Sequence, residues 1–265
     1  MKAQKNDDRD AEAIAEAATR PTMRFVIPKT AEQLDLQTLH RVRDRLVSER
    51  TALINQLRAI LLERGIRAPK GRSKLSRCLT EWFDDGAVDL PAALSPRLCE
   101  LITALRSEWR TLDERIAAFD AEFAERVRED HVARRLTSIP GFGPINATAL
   151  AAAIGTGETF SRGRDLAAWL GLVPRQISTG GRTRLAGISK RGNKYLRKQL
   201  VHGARSALPS LLRAATPLGA WLRGLMARMH KNAVVVALAN KLARIAWAVL
   251  RQETVFASAA PAMPR

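Results

Sequence analysis

Residues 98–123 read LCELITALRSEWRTLDERIAAFDAEF, and Leu98, Ile102, Leu105, Trp109, Leu112, Ile116, Phe119 and Phe123 recur in them at alternating steps of four and three. That period is a heptad seam along one helix, with the charged residues left for its outer faces. Upstream, Leu34–Arg64 has apolar residues at Leu39, Val42, Leu46, Leu53, Leu57 and Ile60, which predicts a second long helix. Two such helices most simply form a long antiparallel coiled-coil hairpin or its dimeric equivalent. An ordinary helical bundle is the plainer alternative; a repeat lasting over three heptads favours the coiled coil. Between the helices lie the basic patch Lys70-Gly-Arg-Ser-Lys74, a short helix with Trp82 and Phe83, and a break around Asp84–Pro91.

The charge is distributed unevenly. The chain of 265 residues has a net charge of +18, yet residues 1–165 hold 27 basic and 25 acidic side chains. From Leu166 to Gln252 there are sixteen Lys or Arg and no Asp or Glu, and half of those cations fall within Pro174–Lys198. A folded surface normally mixes both signs, so this stretch points to a strongly anionic partner, with nucleic acid first in line. An apolar content of 46%, rich in Leu and Ala, suits a mainly α protein of two domains, or one domain and an extended element. Cys78 and Cys99 lack metal-ligand spacing and read as reduced thiols. The N-terminus is acidic and polar, so no secretory signal is expected. Ala233–Leu250 is interrupted by Asn240, Lys241 and Arg244, which favours a buried amphipathic helix over a membrane span. A soluble, cytoplasmic protein with no membrane partner is the expectation.

At the N-terminus, KNDDRDAEAIAEAA predicts a short helix with Asp7 and Asp10 one turn apart, followed by an extended segment or linker, PTMRFVIPKT. A last domain is expected from about Asp130, with helical segments at Leu166–Leu170, Lys194–Ser206 and Ala233–Gln252 and a disordered tail from Glu253. Ile139-Pro-Gly-Phe-Gly-Pro144 ahead of an Ala-rich helix reads as a helix-hairpin-helix element. Gly141 and Gly143 let the backbone turn tightly, so N–H groups at the next helix start can hold a DNA phosphate; an αα-turn with glycines for geometry alone is the alternative. In Gly171-Leu-Val-Pro-Arg-Gln-Ile-Ser-Thr-Gly-Gly-Arg182, Ser178 and Thr179 precede two glycines among cations, as a phosphate-directed nucleophile requires. No His or carboxylate lies nearby to activate Ser178, and a flexible basic loop whose hydroxyls bond phosphate is an equal reading. Arg175, Arg182, Arg184, Lys190, Arg191, Lys194 and Arg197 are the candidate DNA contacts. Ser189-Lys190-Arg191-Gly192 reads as an N-cap and phosphate clamp.

In this order, KNDDRDAEAI, MRFVIPK, the coiled coil, IPGFGP and GLVPRQISTGGRTRLAGISKRGNKYLRKQLVHGA, the chain resembles the insertion-sequence one-ten (IS-one-ten) transposases, the DEDD transposases or bridge-RNA recombinases. The resemblance spans nearly the whole sequence. It implies a RuvC-like α/β domain, a coiled coil and a helical C-terminal transposase domain. It further implies a metal site of three Asp and one Glu binding Mg²⁺, a guide RNA that chooses the target, and a serine that attacks a DNA phosphate. Ser178 is the position matching that serine, with Thr179 the alternative, and Asp7 and Asp10 match the last two acids. The domains expected on this basis are 1–30, the C-terminal remnant of the RuvC-like domain; 31–129, coiled coil; 130–252, transposase domain; and 253–265, tail. The strands carrying the family's first Asp and its Glu would precede Met1. An N-terminally truncated transposase is therefore expected, able to bind nucleic acid but not to recombine DNA alone, and assembling as a homo-oligomer through the coiled coil. A non-catalytic nucleic-acid-binding protein that clamps phosphates is the alternative.

Overall fold

The structure, a computed structural model, describes residues 6–21, 23, 27–84 and 94–257, and divides the chain into two compact units, Met1–Thr30 and Ala31–Arg265. The first unit is built on α1 (Asp7–Thr19). Asn6 caps it, its side chain accepting from the Asp8 N–H at 3.0 Å, and Asp7, Asp8 and Asp10 crowd the positive end of the helix dipole. Thr22, Arg24, Phe25 and Val26 of the expected linker lie outside the described residues, as do residues 85–93 of the expected break.

The second unit begins with α2 (Ala31–Glu63), α3 (Arg72–Phe83) and α4 (Pro96–Glu129). Arg43 bonds Asp120 at 2.5 Å and Arg50 bonds Asp113 at 2.6 Å. A later residue of α2 thus meets an earlier one of α4, which makes the pair antiparallel. Six of the heptad positions, Leu98, Ile102, Trp109, Leu112, Ile116 and Phe123, are buried, and Leu105 and Phe119 are half-buried. All but Phe123 pack in one cluster with Leu46, Leu53, Ile54, Leu57 and Leu61 of α2, while Ile60 sits at its margin and Leu39 and Val42 are half-buried outside it. Arg106 is buried in the same helix because Asp84, at the end of α3, receives it in a two-point bond at 3.2 and 2.7 Å.

Then follow α5 (His131–Thr137), α6 (Pro144–Ile154), α7 (Gly163–Trp169), β1 (Pro174–Thr179), β2 (Arg182–Ile188), α8 (Lys194–Arg213), α9 (Pro217–Met226) and α10 (Lys231–Arg251). The chain is mainly α, as expected; among the described residues the sheet is one antiparallel pair. By length and composition α10 could cross a membrane, but its face of Val234, Val235, Leu238, Leu242, Ala246 and Val249 is buried in the core. Helix α8 continues past Ser206, its expected end, because Ala207, Leu208 and Leu211 prolong its buried face. The unforeseen α9 starts at a Thr216 cap with Pro217 next, a helix-start signal that was there to be read. Residues 253–257 also depart from a disordered tail. The Phe256 N–H donates to Ser138 Oγ at 2.8 Å, Glu253 pairs with Arg135 at 3.0 Å, and Phe256 packs on the core.

Two apolar clusters result, one within the α2–α3–α4 hairpin and one spanning Ala133–Leu250. A polar junction joins them. His40 of α2 is 3% exposed and stacks on Phe123 of α4, ring centroids 4.1 Å apart. Its Nδ1 lies 3.0 Å from the Tyr195 hydroxyl of α8, and its Nε2 3.1 Å from Thr148 Oγ1 of α6. Thr148 donates its own proton to the Pro144 carbonyl at 2.7 Å, so it accepts from His40 Nε2–H. Nδ1 is then the acceptor of the Tyr195 O–H. The imidazole is held neutral in one tautomer, and burial, reinforced by nearby Arg43, lowers its pKa to about 4. Burial likewise pushes Tyr195 up to about 12.

A histidine depressed from 6.5 to about 4 gives stability that is full above the unfolded value and lost as pH falls. Thermal melts between about pH 7.5 and pH 4.5 should show a loss of about 2–3 kcal/mol from this group. Most of that loss should fall below pH 6.5, the ordinary value. His40→Gln should be less stable at neutral pH and should flatten the dependence in this window.

Candidate nucleic-acid interface

The stretch read as a flexible basic loop is an ordered ribbon. Thr179 pairs with Arg182 across Gly180 and Gly181, whose φ angles of 55° and 73° are those of a two-residue hairpin turn. A Gly-Gly pair between two short runs was the overlooked signal. The pairing runs through Ser178↔Thr183, Ile177↔Arg184 and Gln176↔Leu185, then shifts by one residue at a bulge before Pro174↔Ile188. All of β1 is exposed, and β2 is exposed except at Ala186 and Ile188, so the ribbon projects from the core.

Its foot is fixed where two chain segments cross. A Cβ on Gly192 (φ +80) would lie 1.9 Å from the Trp169 carbonyl oxygen, and one on Gly171 (φ +69) would lie 2.1 Å from that of Arg191. Only glycine permits this approach. The Ser189 N–H donates to the Val173 carbonyl at 2.8 Å, and the Lys190 N–H to that of Gly171 at 3.1 Å. Arg197 Nη1 donates to the Leu170 and Arg191 carbonyls, both at 2.9 Å, and Asn240 Nδ2 to the Leu172 carbonyl at 3.0 Å. Arg197, expected to contact DNA, is instead directed at backbone and braces the foot. The cap of α8 is Asn193, accepting from the Leu196 N–H at 3.1 Å, rather than Ser189. The crossing at Gly192 holds the preceding residues outside the helix.

The pleat sorts the remaining candidates. Ser178 Oγ accepts from Gln176 Nε2 at 3.1 Å and shares a hydrogen bond with Thr183 Oγ1 at 3.2 Å. Those three residues lie on one face, and by strand alternation Thr179, Arg182, Ile177 and Arg184 lie on the other. Ser178 and Thr179 therefore point to opposite sides, and the ribbon's paired arginines are on Thr179's side. Arg175, Arg182, Arg184, Lys190, Arg191 and Lys194 are all exposed, and none forms an ion pair among the described residues.

Helices α5 and α6 form the hairpin around Pro140–Gly143. Gly141 (φ +85) abuts α8: a Cβ there would lie 2.5 Å from the Gly203 carbonyl oxygen. Asn146 Nδ2 completes the contact, donating to the Gly141 carbonyl at 2.8 Å and to that of Gln199 at 3.3 Å. Gly141 thus serves packing, whereas Gly143, the cap of α6, has open space around it. In the first unit Asp7 and Asp10 are exposed on successive turns and form no ion pair among the described residues. No group of three or more His, Cys, Asp or Glu converges among the described residues.

Residues 133–216 match the model of the transposase IS116/IS110/IS902 family, and residues 1–65 match a second transposase model, of the DEDD type. The chain is 47% identical over 257 residues to a Pseudomonas aeruginosa protein described as "Probable family 20 transposase", covering 97% of this chain and 75% of that one. It is 46% identical over 256 residues to the transposase for insertion sequence element IS1328 of Yersinia enterocolitica, with the same coverages of 97% and 75%. It is 43% identical over 255 residues to the transposase for IS1111A of Coxiella burnetii, covering 96% and 69%.

The foot of the ribbon is open to test by single substitutions. Gly192→Ala should cost roughly 2–4 kcal/mol, through a positive φ and a carbonyl clash together. Gly180→Ala, with nothing within 4 Å, should cost about 1 kcal/mol. Thermal melts give the ranking. Hydrogen exchange should show residues 174–188 released in Gly192→Ala and in Arg197→Met.

Proposed function

The chain belongs to the IS116/IS110/IS902 transposase family, an enzyme family with DNA as partner, and from that premise we propose that it cuts and rejoins DNA strands through Ser178. The supporting observation is the placement of this hydroxyl on a fully exposed strand of a ribbon whose foot is tied to α7, α8 and α10. A nucleophile held in this way can meet a duplex without rearrangement of the core. Attack forms an Oγ–P bond and releases the sugar oxygen; a later attack by a hydroxyl reverses it onto a new strand. Arg175, Lys190, Arg191 and Lys194 are the proposed phosphate contacts around the foot, and Gly143 with the exposed start of α6 is a sequence-independent one. Arg182 and Arg184 contact backbone on the ribbon's other side.

The DEDD type implies a divalent metal. Asp7 and Asp10 fit the part of ligands to Mg²⁺: they are exposed, one helical turn apart and uncommitted to any cation among the described residues. Two carboxylates with waters and a phosphate are a usual magnesium set. Such an ion would supply Lewis-acid polarisation of a phosphate. We further propose that 1–30 is the last part of a RuvC-like domain, that α2 and α4 are a coiled coil through which copies associate, and that 130–252 is the transposase domain. A guide RNA selecting the target completes this reading, and work on DNA favours the cytoplasm.

A second reading, phosphate clamping without catalysis, draws on one observation: Ser178 bonds Gln176 and Thr183, and no histidine or carboxylate bonds it among the described residues. Incubation with donor DNA, guide RNA and Mg²⁺, with and without an added N-terminal fragment from a longer relative, separates the two. The transposase should give a covalent protein–DNA adduct, lost by at least a thousandfold in Ser178→Ala and kept within tenfold in Thr179→Ala. Binding with no adduct under any condition leaves the clamp; the reverse pattern of losses moves the nucleophile to Thr179.

A further inference from the structure

A second basic tract lies far from the ribbon. Between Glu63 and Glu81 the chain carries Arg64, Arg67, Lys70, Arg72, Lys74 and Arg77 and no carboxylate. It occupies the connection after α2 and the first turns of α3, at the opposite end of the hairpin from His40. At the helical rise, His40 and Glu63 are about 35 Å apart. Elsewhere on the hairpin, cations pair with neighbouring acids: Arg45 with Glu49, Arg97 with Glu100 and Arg128 with Glu125. Lys70, Lys74 and Arg77 form no such pair among the described residues.

Helix α3 also borders a groove against α4, about 410 Å³ in volume, walled by Arg72, Ser73, Ser76, Arg77 and Thr80 and reaching Trp109 and Asp113. Ser73, Ser76 and Arg77 are exposed, and their side chains make no hydrogen bond among the described residues. Trp109, 5% exposed, has an indole Nε1 that is buried with no acceptor. Native structures seldom leave a buried N–H unpaired, and the Trp109 side chain that carries this one borders the groove. Asp113, whose Oδ1 takes Arg50 and Arg72, makes no hydrogen bond to this N–H. The head of α3 adds further donors, because its cap is Gly71, which has no side chain to satisfy the first-turn N–H groups. The groove is thus walled by Arg72, Arg77, three hydroxyls and Trp109, and its two carboxylates, Asp113 and Glu81, are outnumbered by the six cations of the 64–77 tract. The ligand that matches is rich in acceptor oxygens and negatively charged.

We propose that the α3–α4 groove binds the phosphodiester backbone of a nucleic acid, at a site separate from the β1–β2 ribbon. A strand lying along the hairpin would be held at both ends, which adds affinity without added base readout. The site does not depend on Ser178 being a nucleophile.

The test uses the full chain with ¹⁵N-labelled tryptophan, the Trp109 indole resonance being assigned with Trp109→Phe. It is titrated with a 30-nucleotide RNA hairpin and with a DNA duplex of the same sequence. The Trp109 signal should move with one or both nucleic acids, and which of them moves it identifies the source of the phosphates. Lys70→Ala/Lys74→Ala/Arg77→Ala, all surface changes, should lose at least tenfold in affinity at about 0.1 M salt and lower the salt slope by about 2–3. Restoring Lys at position 77 should recover part of it. Arg182→Ala/Arg184→Ala should keep the Trp109 shift while weakening binding, so the two sites can fail independently. A stationary Trp109 signal with both nucleic acids, or a triple variant with unchanged affinity and salt slope, overturns the proposal.

Discussion

The neutral imidazole of His40 joins four helices drawn from two separate apolar clusters. Its ring stacks on Phe123 of α4, and its two nitrogens bond Tyr195 of α8 and Thr148 of α6. Every proton in this chain of bonds has one direction, ending at the Pro144 carbonyl at the start of α6. A fully satisfied buried network of this kind defines a single arrangement, because any rotation leaves a donor or an acceptor bare. Around it, Gln37 donates to the Ala152 carbonyl at 2.9 Å, and Lys198, lying over the Tyr195 ring, pairs with Asp44. The long hairpin is therefore attached to the C-terminal half in a fixed orientation rather than merely tethered to it.

From the junction, α8 carries the constraint further. Tyr195 meets His40, Arg197 braces the ribbon's foot two residues later, and Gly203 receives the turn at Gly141. One helix thus sets the relative positions of the hairpin, the ribbon and the α5–α6 turn. The ribbon needs that support, since two strands exposed on both faces are marginal alone. Its order comes from the glycine crossing, the Arg197 bonds and Asn240, all at the foot. The tip is left free of packing, which suits a segment meant to touch something outside the protein.

Much of this was legible because it repeats along the chain. The heptad positions of α4 and the apolar stripe of α2 declare their faces by spacing, and burial follows them closely from Leu98 to Phe123. What stayed hidden is pairwise. His40 looks like a stray polar residue beside Leu39 until Tyr195 and Thr148, more than a hundred residues away, are brought to it. Gly171 against Arg191 and Gly141 against Gly203 are close approaches of backbone, which leave no periodic trace. Arg197 could not be told from its neighbours by charge; only the carbonyls of Leu170 and Arg191 separate a brace from a phosphate contact. The ribbon is different: its Gly-Gly turn was visible and was outweighed by the helical character of everything around it.

The sorting of faces changes what the acid-free stretch can mean. Sixteen cations in sequence suggest a hydroxyl ringed by positive charge. The pleat instead places Ser178 with Gln176 and Thr183 and turns Arg182 and Arg184 away. The ribbon alone therefore provides Ser178 with position, but neither a proton acceptor nor charge aimed at a developing oxyanion. Exposed cations around the foot can hold the duplex without supplying that acceptor, since lysine and arginine are donors only. A proton acceptor for Ser178 would therefore have to come from outside the ribbon. A stretch without acids also avoids repelling an anionic backbone.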